Sequence, residues 1–95
     1  MRLPLFSSRA TDPSPNLVGI QHPALDMLPT VLVCPIKEAE VVTNVRTSLD
    51  WQRKQYTVLC DLARPINRNA LRPVGYLDAS TSERIVETFL RLLAL

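Results

Sequence analysis

Apolar residues in this chain come in short runs separated by polar, proline-rich breaks, the rhythm of strands, until the last sixteen residues. Leu3 to Phe6 contains Pro4 and fits an edge strand, because proline has no amide hydrogen to give a neighbour. The stretch SSRATDPSPN (7–16) reads as a loop, and Leu17 to Gln21 as a second strand. HPALDMLP (22–29) brings two prolines in eight residues and predicts an exposed tip. TVLVCPI (30–36) is β-branched and almost continuously apolar, the pattern of a strand buried on both faces.

Residues 37–54 carry the weakest pattern. EAEVVTNV fits a short strand or a helical turn, and the polar SLDWQRKQ reads as loop. QYTVLCDL (55–62) alternates again, with Tyr56, Val58, Cys60 and Leu62 on one face and Thr57, Leu59 and Asp61 on the other. Asp61 is out of place on an apolar strand, and a carboxylate there needs a partner or water. Pro65 ends the run, and INRNALRPVGYL holds a turn and one more short strand.

The chain then changes period. Ser80-Thr81-Ser82-Glu83 has the capping-box spacing that opens a helix. Ile85, Val86, Phe89, Leu90, Leu92 and Leu93 follow at intervals of three and four, a wide apolar face. Glu87 and Arg91 on the polar side are spaced for an ion pair. Four or five short strands and one terminal helix predict a mainly β fold, a small barrel closed by a C-terminal helix, with residues 1–95 as a single domain.

Composition narrows the function classes. With 46% hydrophobic and 21% charged residues the chain is globular, and with only 5% aromatic its core is aliphatic and thin. Small cores commonly gain buried surface by pairing, so a homodimer is expected. The net charge of +2 is too small to argue for nucleic acid. Its distribution is more suggestive: Arg46, Arg53, Lys54, Arg64, Arg68 and Arg72 face only Asp50 and Asp61 in the same stretch. These residues present either a basic surface for phosphate or ordinary solvated charge. Cys34 and Cys60 lie in apolar runs without histidine nearby, the pattern of buried free thiols in a reducing cytoplasm. No apolar stretch approaches the roughly 18 residues of a membrane span.

Candidate chemistry is sparse. His22 is the sole histidine and stands beside Pro23 in a turn, so no histidine-based nucleophile site is visible. Two glycines exclude a glycine-rich phosphate loop, and nothing suggests a metal or cofactor. Cleavage of RNA through its own 2′-hydroxyl asks only for an acid, a base and a cation; Asp61, Arg64 and Arg68 are the candidates. A strand-end carboxylate paired with nearby arginines is the competing explanation for the same residues.

The ordered set Ile20-Gln21, Ala24-Leu25-Asp26 and Pro35-Ile36 resembles the N-terminal half of CcdB-family toxins. The segment from Tyr56 to Leu95 is similar to both CcdB and MazF/PemK toxins. It has a strand, an aspartate at Asp61, an Asn69-Ala70-Leu71 turn, a Val74-x-x-Leu77 strand and a terminal helix. The resemblance covers the chain except residues 37–54. It implies an SH3-like barrel of the CcdB/MazF type, a homodimer, and a cytoplasmic toxin of a type II toxin–antitoxin module with a cognate antitoxin. On the CcdB side it implies a non-enzymatic toxin that poisons DNA gyrase, with Ala24 and Leu25 on the loop and Leu93, Ala94 and Leu95 at the helix tip making the contact. CcdB relatives carry Trp-Gly-Ile at that tip. On the MazF side it implies an endoribonuclease cutting single-stranded RNA, although PemK-type enzymes have an arginine where this chain has Leu59. A family member without toxicity is the remaining alternative.

Overall fold

A computed structural model describes residues 1–9 and 11–94. Its spine is the strand TVLVCPIK, Thr30–Lys37, here β3; before it come β1 (Pro4–Ser7) and β2 (Leu17–Gly19). After it come β4 (Arg46–Trp51), β5 (Lys54–Leu59), β6 (Arg64–Asn67), β7 (Arg72–Tyr76) and the helix α1 (Ala79–Ala94). The hydrogen-bonded order is β4-β5-β3-β2-β1-β7, with every pairing antiparallel, and β6 joins β3 off this path. The length of β3 makes this possible. Its first half pairs with β6 from Thr30 to Val33, its middle with β2, and Ile36 and Lys37 with β5. The sheet curls around a core, giving the mainly β barrel with a C-terminal helix that the pattern predicts.

Alternation along the strands divides the apolar residues between two faces. Leu5, Val18, Cys34, Ile36, Leu49, Tyr56, Val58 and Cys60 point into the main core, which Leu77 and Ile85 close from the helical side. Phe6, Leu17, Val31, Val33 and Leu71 form a smaller cluster on the opposite face, with Ile66 of β6 against it. That second cluster explains why β3 reads as apolar without interruption. Cys34 and Cys60 are free thiols, fully buried. A hydrogen bond between them, followed by burial, pushes the Cys34 thiol up from its ordinary value.

Four expectations need correction. The segment SLDWQRKQ is a β-hairpin rather than loop, since Thr47 and Leu49 alternate inward against Ser48 and Asp50. Its turn is two residues long, Gln52 (φ 48°) and Arg53 (φ 68°), and lacks the glycine or asparagine that normally announces such a turn. Pro65 does not end regular structure but sits inside β6 opposite Leu32. The strand through Tyr56 stops at Leu59, and Cys60–Leu62 form a 3₁₀ turn that leaves Leu62 exposed. The helix begins two residues earlier than the Ser80 box: Asp78 Oδ1 accepts the Thr81 amide at 2.8 Å, and that bond holds the Asp78 carboxyl below its usual pKa. Ser82 is freed for another task, its Oγ accepting the buried Leu3 amide at 2.9 Å and tying the helix to the chain's first strand. The predicted Glu87–Arg91 pair forms at 4.0 Å.

The ends of the sheet path, β4 and β7, are not paired with each other among the described residues. Arg84 of α1 covers β4 instead, donating to Thr47 Oγ1 and to the Ser48 carbonyl. At the other end of β4 the Trp51 indole lies over Gly75 of β7. A Cβ on Gly75 would stand 2.5 Å from Trp51 Cη2. Side-chain packing therefore closes the barrel where backbone pairing does not.

Candidate functional site

The loop between β1 and β2 is rich in serine, proline and asparagine, and these residues knit it into a wall. Ser7 Oγ donates to the Asp12 carbonyl at 2.8 Å, and Asn16 Nδ2 donates to Ser8 Oγ at 2.8 Å. Asp12 Oδ1 accepts the Ser14 amide at 2.9 Å, which is the main cause holding the Asp12 carboxyl below its usual range. The Asn16 carbonyl then accepts from the Ile36 amide, pinning the loop to the end of β3.

Between this wall, the end of β3 and the starts of β5 and β6 runs a groove of about 600 Å³. Arg9, Lys37, Lys54 and Arg64 line it against the carboxylates of Asp12 and Glu38, and Tyr56 forms part of its floor. Asp12 is already matched by Arg9 at 3.4 Å. That leaves Lys37, Lys54 and Arg64 facing Glu38 alone, a local cationic excess that the net charge of the chain conceals. Among the described residues Glu38 makes no side-chain hydrogen bond or ion pair.

The three residues singled out for RNA cleavage are not gathered in one cavity. Arg64 lies in the groove. Asp61 is held bidentately by Arg46, with both contacts at 2.8 Å, and this pairing keeps its carboxyl below the ordinary range. Arg68 turns to the other side of the barrel. Its Nε donates to the Leu28 carbonyl, and its Nη2 is buried without a partner among the described residues. It lines a separate hollow of about 280 Å³ with Phe6, Val31 and Asp26.

The residues expected to meet a protein partner lie at the surface. Ala24 and Leu25 form a 3₁₀ turn capped by His22, whose Nδ1 accepts the Ala24 amide at 3.0 Å. Leu25 is 44% exposed, and its neighbours Met27 and Leu28, which the sequence did not single out, are 87% and 41% exposed. At the helix end Leu93 and Ala94 are exposed, while Leu95 lies outside the described residues. No His/Cys/Asp/Glu group suited to a metal occurs among the described residues, and none of their helices is long and apolar enough to cross a membrane.

Neither a family model nor a curated protein matches this sequence. Among solved structures the chain is similar to the Mycobacterium tuberculosis toxin MazF-mt6, with a TM-score of 0.75 and 20% sequence identity. The match covers 100% of this chain and 98% of that one. The barrel is therefore of the CcdB/MazF type from end to end.

Proposed function

We propose that this chain is the toxin of a toxin–antitoxin module and that it cuts single-stranded RNA in the groove lined by Arg9, Lys37, Lys54 and Arg64. The observation that carries the reading is this cationic groove, with an aromatic floor, in a chain whose whole length follows the fold of a MazF toxin. Spaced cations over a stacking surface suit a flexible polyanion of bases and phosphates.

The reaction is attack of a 2′-hydroxyl on the adjacent phosphorus with loss of the 5′-oxygen, leaving a 2′,3′-cyclic phosphate and a 5′-hydroxyl. Glu38 takes the 2′-hydroxyl proton, and the Lys37 ammonium returns one to the departing 5′-oxygen. Arg64 stabilises the charge that builds on the phosphoryl oxygens. Asp61 with Arg64 or Arg68 is the arrangement the sequence suggests. In this fold, however, the Arg46 pair stabilises the ionised form of Asp61 and makes it a weak base. A cognate antitoxin and a second copy of the chain are the partners the resemblance implies.

The test is incubation of purified protein with mixed single-stranded RNA in the presence of a chelator. Cyclic-phosphate ends are expected, with the rate falling about 100-fold or more in Glu38→Gln and in Arg64→Ala. Intact RNA refutes the reading. The exposed Leu25, Met27 and Leu28 and the exposed Leu93 favour a second one, apolar docking onto DNA gyrase through Ala24, Leu25 and Leu93–Leu95. Gyrase cleavage complexes that vanish when residues 93–95 are deleted would identify it.

A further inference from the structure

Beside the groove, and sharing Ser14, Pro15, Lys54 and Tyr56 with it, is a second hollow of about 440 Å³. It occupies the seam where β4 and β7 fail to pair. Trp51, Gln52 and Lys54 contribute from the hairpin, and Arg72, Pro73 and Val74 from β7. This is ample room for one nucleotide.

Three observations give the seam a chemical character. First, Trp51 Nε1 is buried without an acceptor among the described residues, although indole nitrogen can act only as a donor. Second, both central residues of the hairpin turn are left-handed without being glycine or asparagine. Asn-Gly adopts that geometry at lower cost, so Gln52 and Arg53 hold the turn under strain. Such strain collects where a side chain is needed for something other than the turn, and the Gln52 side chain lines the hollow. The turn also fixes Trp51 and Lys54 as the facing pair beneath it. Third, two cations border the space: Lys54, shared with the groove, and Arg72, whose guanidinium is anchored by donating to the Arg9 carbonyl.

We infer that this seam pocket is a nucleotide subsite for the RNA strand that the groove carries. One base packs against Trp51 between the proline walls, the Gln52 carboxamide reads its edge, and the flanking phosphate lies between Lys54 and Arg72. A carboxamide offers a donor and an acceptor side by side, the pattern that base edges present. Apolar and aromatic walls accept the face of any base. The subsite rests on reading the groove as an RNA site, but it can be tested separately from cleavage.

Trp51 is the sole tryptophan, so its fluorescence and its single indole N–H resonance report on this pocket alone. The four nucleoside 5′-monophosphates and inorganic phosphate are titrated separately into the intact chain. At least one nucleotide should shift the indole resonance saturably, and inorganic phosphate should not. Gln52→Asn with Arg53→Gly should keep the hairpin and raise the melting temperature, yet weaken nucleotide binding about tenfold. The inference is overturned if millimolar nucleotides leave the indole unmoved, if phosphate alone produces the same shift, or if the double variant binds as the parent does. Nucleotide binding without RNA cleavage supports the subsite and defeats the cleavage reading; cleavage with a silent indole does the reverse.

Discussion

Replacing Gly75 by alanine tests whether the barrel is closed by Trp51 packing across the seam. The added Cβ would stand 2.5 Å from Cη2 and 2.9 Å from Cζ2 of the indole. Carbon atoms pack best at about 3.5–4.0 Å, so the ring must retreat by about 1 Å. Those atoms belong to a rigid bicycle packed against the main core, and no single rotamer change moves them independently. Overpacking of this kind costs about 1–3 kcal/mol. For a domain of this size, each kcal/mol lowers the melting temperature by about 4–8 °C. Gly75→Ala should therefore melt at least about 4 °C below the parent, measured at fixed protein concentration because pairing of copies would add its own stability. Trp51→Phe removes both of the atoms the Cβ would strike. In that background Gly75→Ala should cost little, giving a coupling energy of about 1 kcal/mol or more in a double-mutant cycle. A cycle that closes additively would show that the indole does not bear on β7, and the closure argument would fail.

Ser82→Ala should destabilise by about 1–3 kcal/mol, because it leaves the buried Leu3 amide without an acceptor, and a urea midpoint measures the loss. Acid should weaken the fold through Asp61 and Asp78. Both carboxyls sit below their unfolded pKa, so their contribution is complete above that value and disappears as pH falls through the lower folded pKa. Asp61→Asn should accordingly lower the melting temperature at pH 7 and make almost no difference near pH 2, where the parent carboxyl is protonated as well.

What the sequence made legible in the fold follows from how local each signal is. TVLVCPI announces β3 because its residues carry β propensity and apolarity without interruption. The helix is announced by the three-and-four spacing from Ile85 to Leu93. The β4–β5 hairpin escaped for two reasons. Its inward residues, Thr47 and Leu49, are separated by polar ones that face outward, and its turn uses Gln52 and Arg53 where the familiar turns use Asn, Asp or Gly. The helix start was misplaced because Ser80-Thr81-Ser82-Glu83 offers acceptable capping chemistry. Asp78 competes for the same role and wins, while Ser82 is taken by Leu3, 79 positions away along the chain.

The site was harder to read because one run of charge has several fates. Between Arg46 and Arg72 the sequence shows an undivided basic stretch. The fold commits Arg46 to Asp61, turns Arg68 toward the opposite hollow, and leaves Arg53 at the hairpin tip. Lys54 and Arg64 enter the groove, and Arg72 enters the seam. Only a tertiary structure can make that division, because it depends on which strand each residue leaves and on which face. Arg9, Lys37 and Glu38 join the same groove from outside the stretch and carried no local signal at all. The CcdB and MazF readings draw on different parts of this division. Docking onto gyrase uses exposed leucines at the loop and the helix tip, which a barrel can present whatever its grooves contain. Cleavage of RNA needs cations and a free carboxylate brought across three breaks in the sequence. The local excess of Lys37, Lys54 and Arg64 over Glu38 is what a solvated scatter of charge would not produce, and it tilts the balance toward RNA.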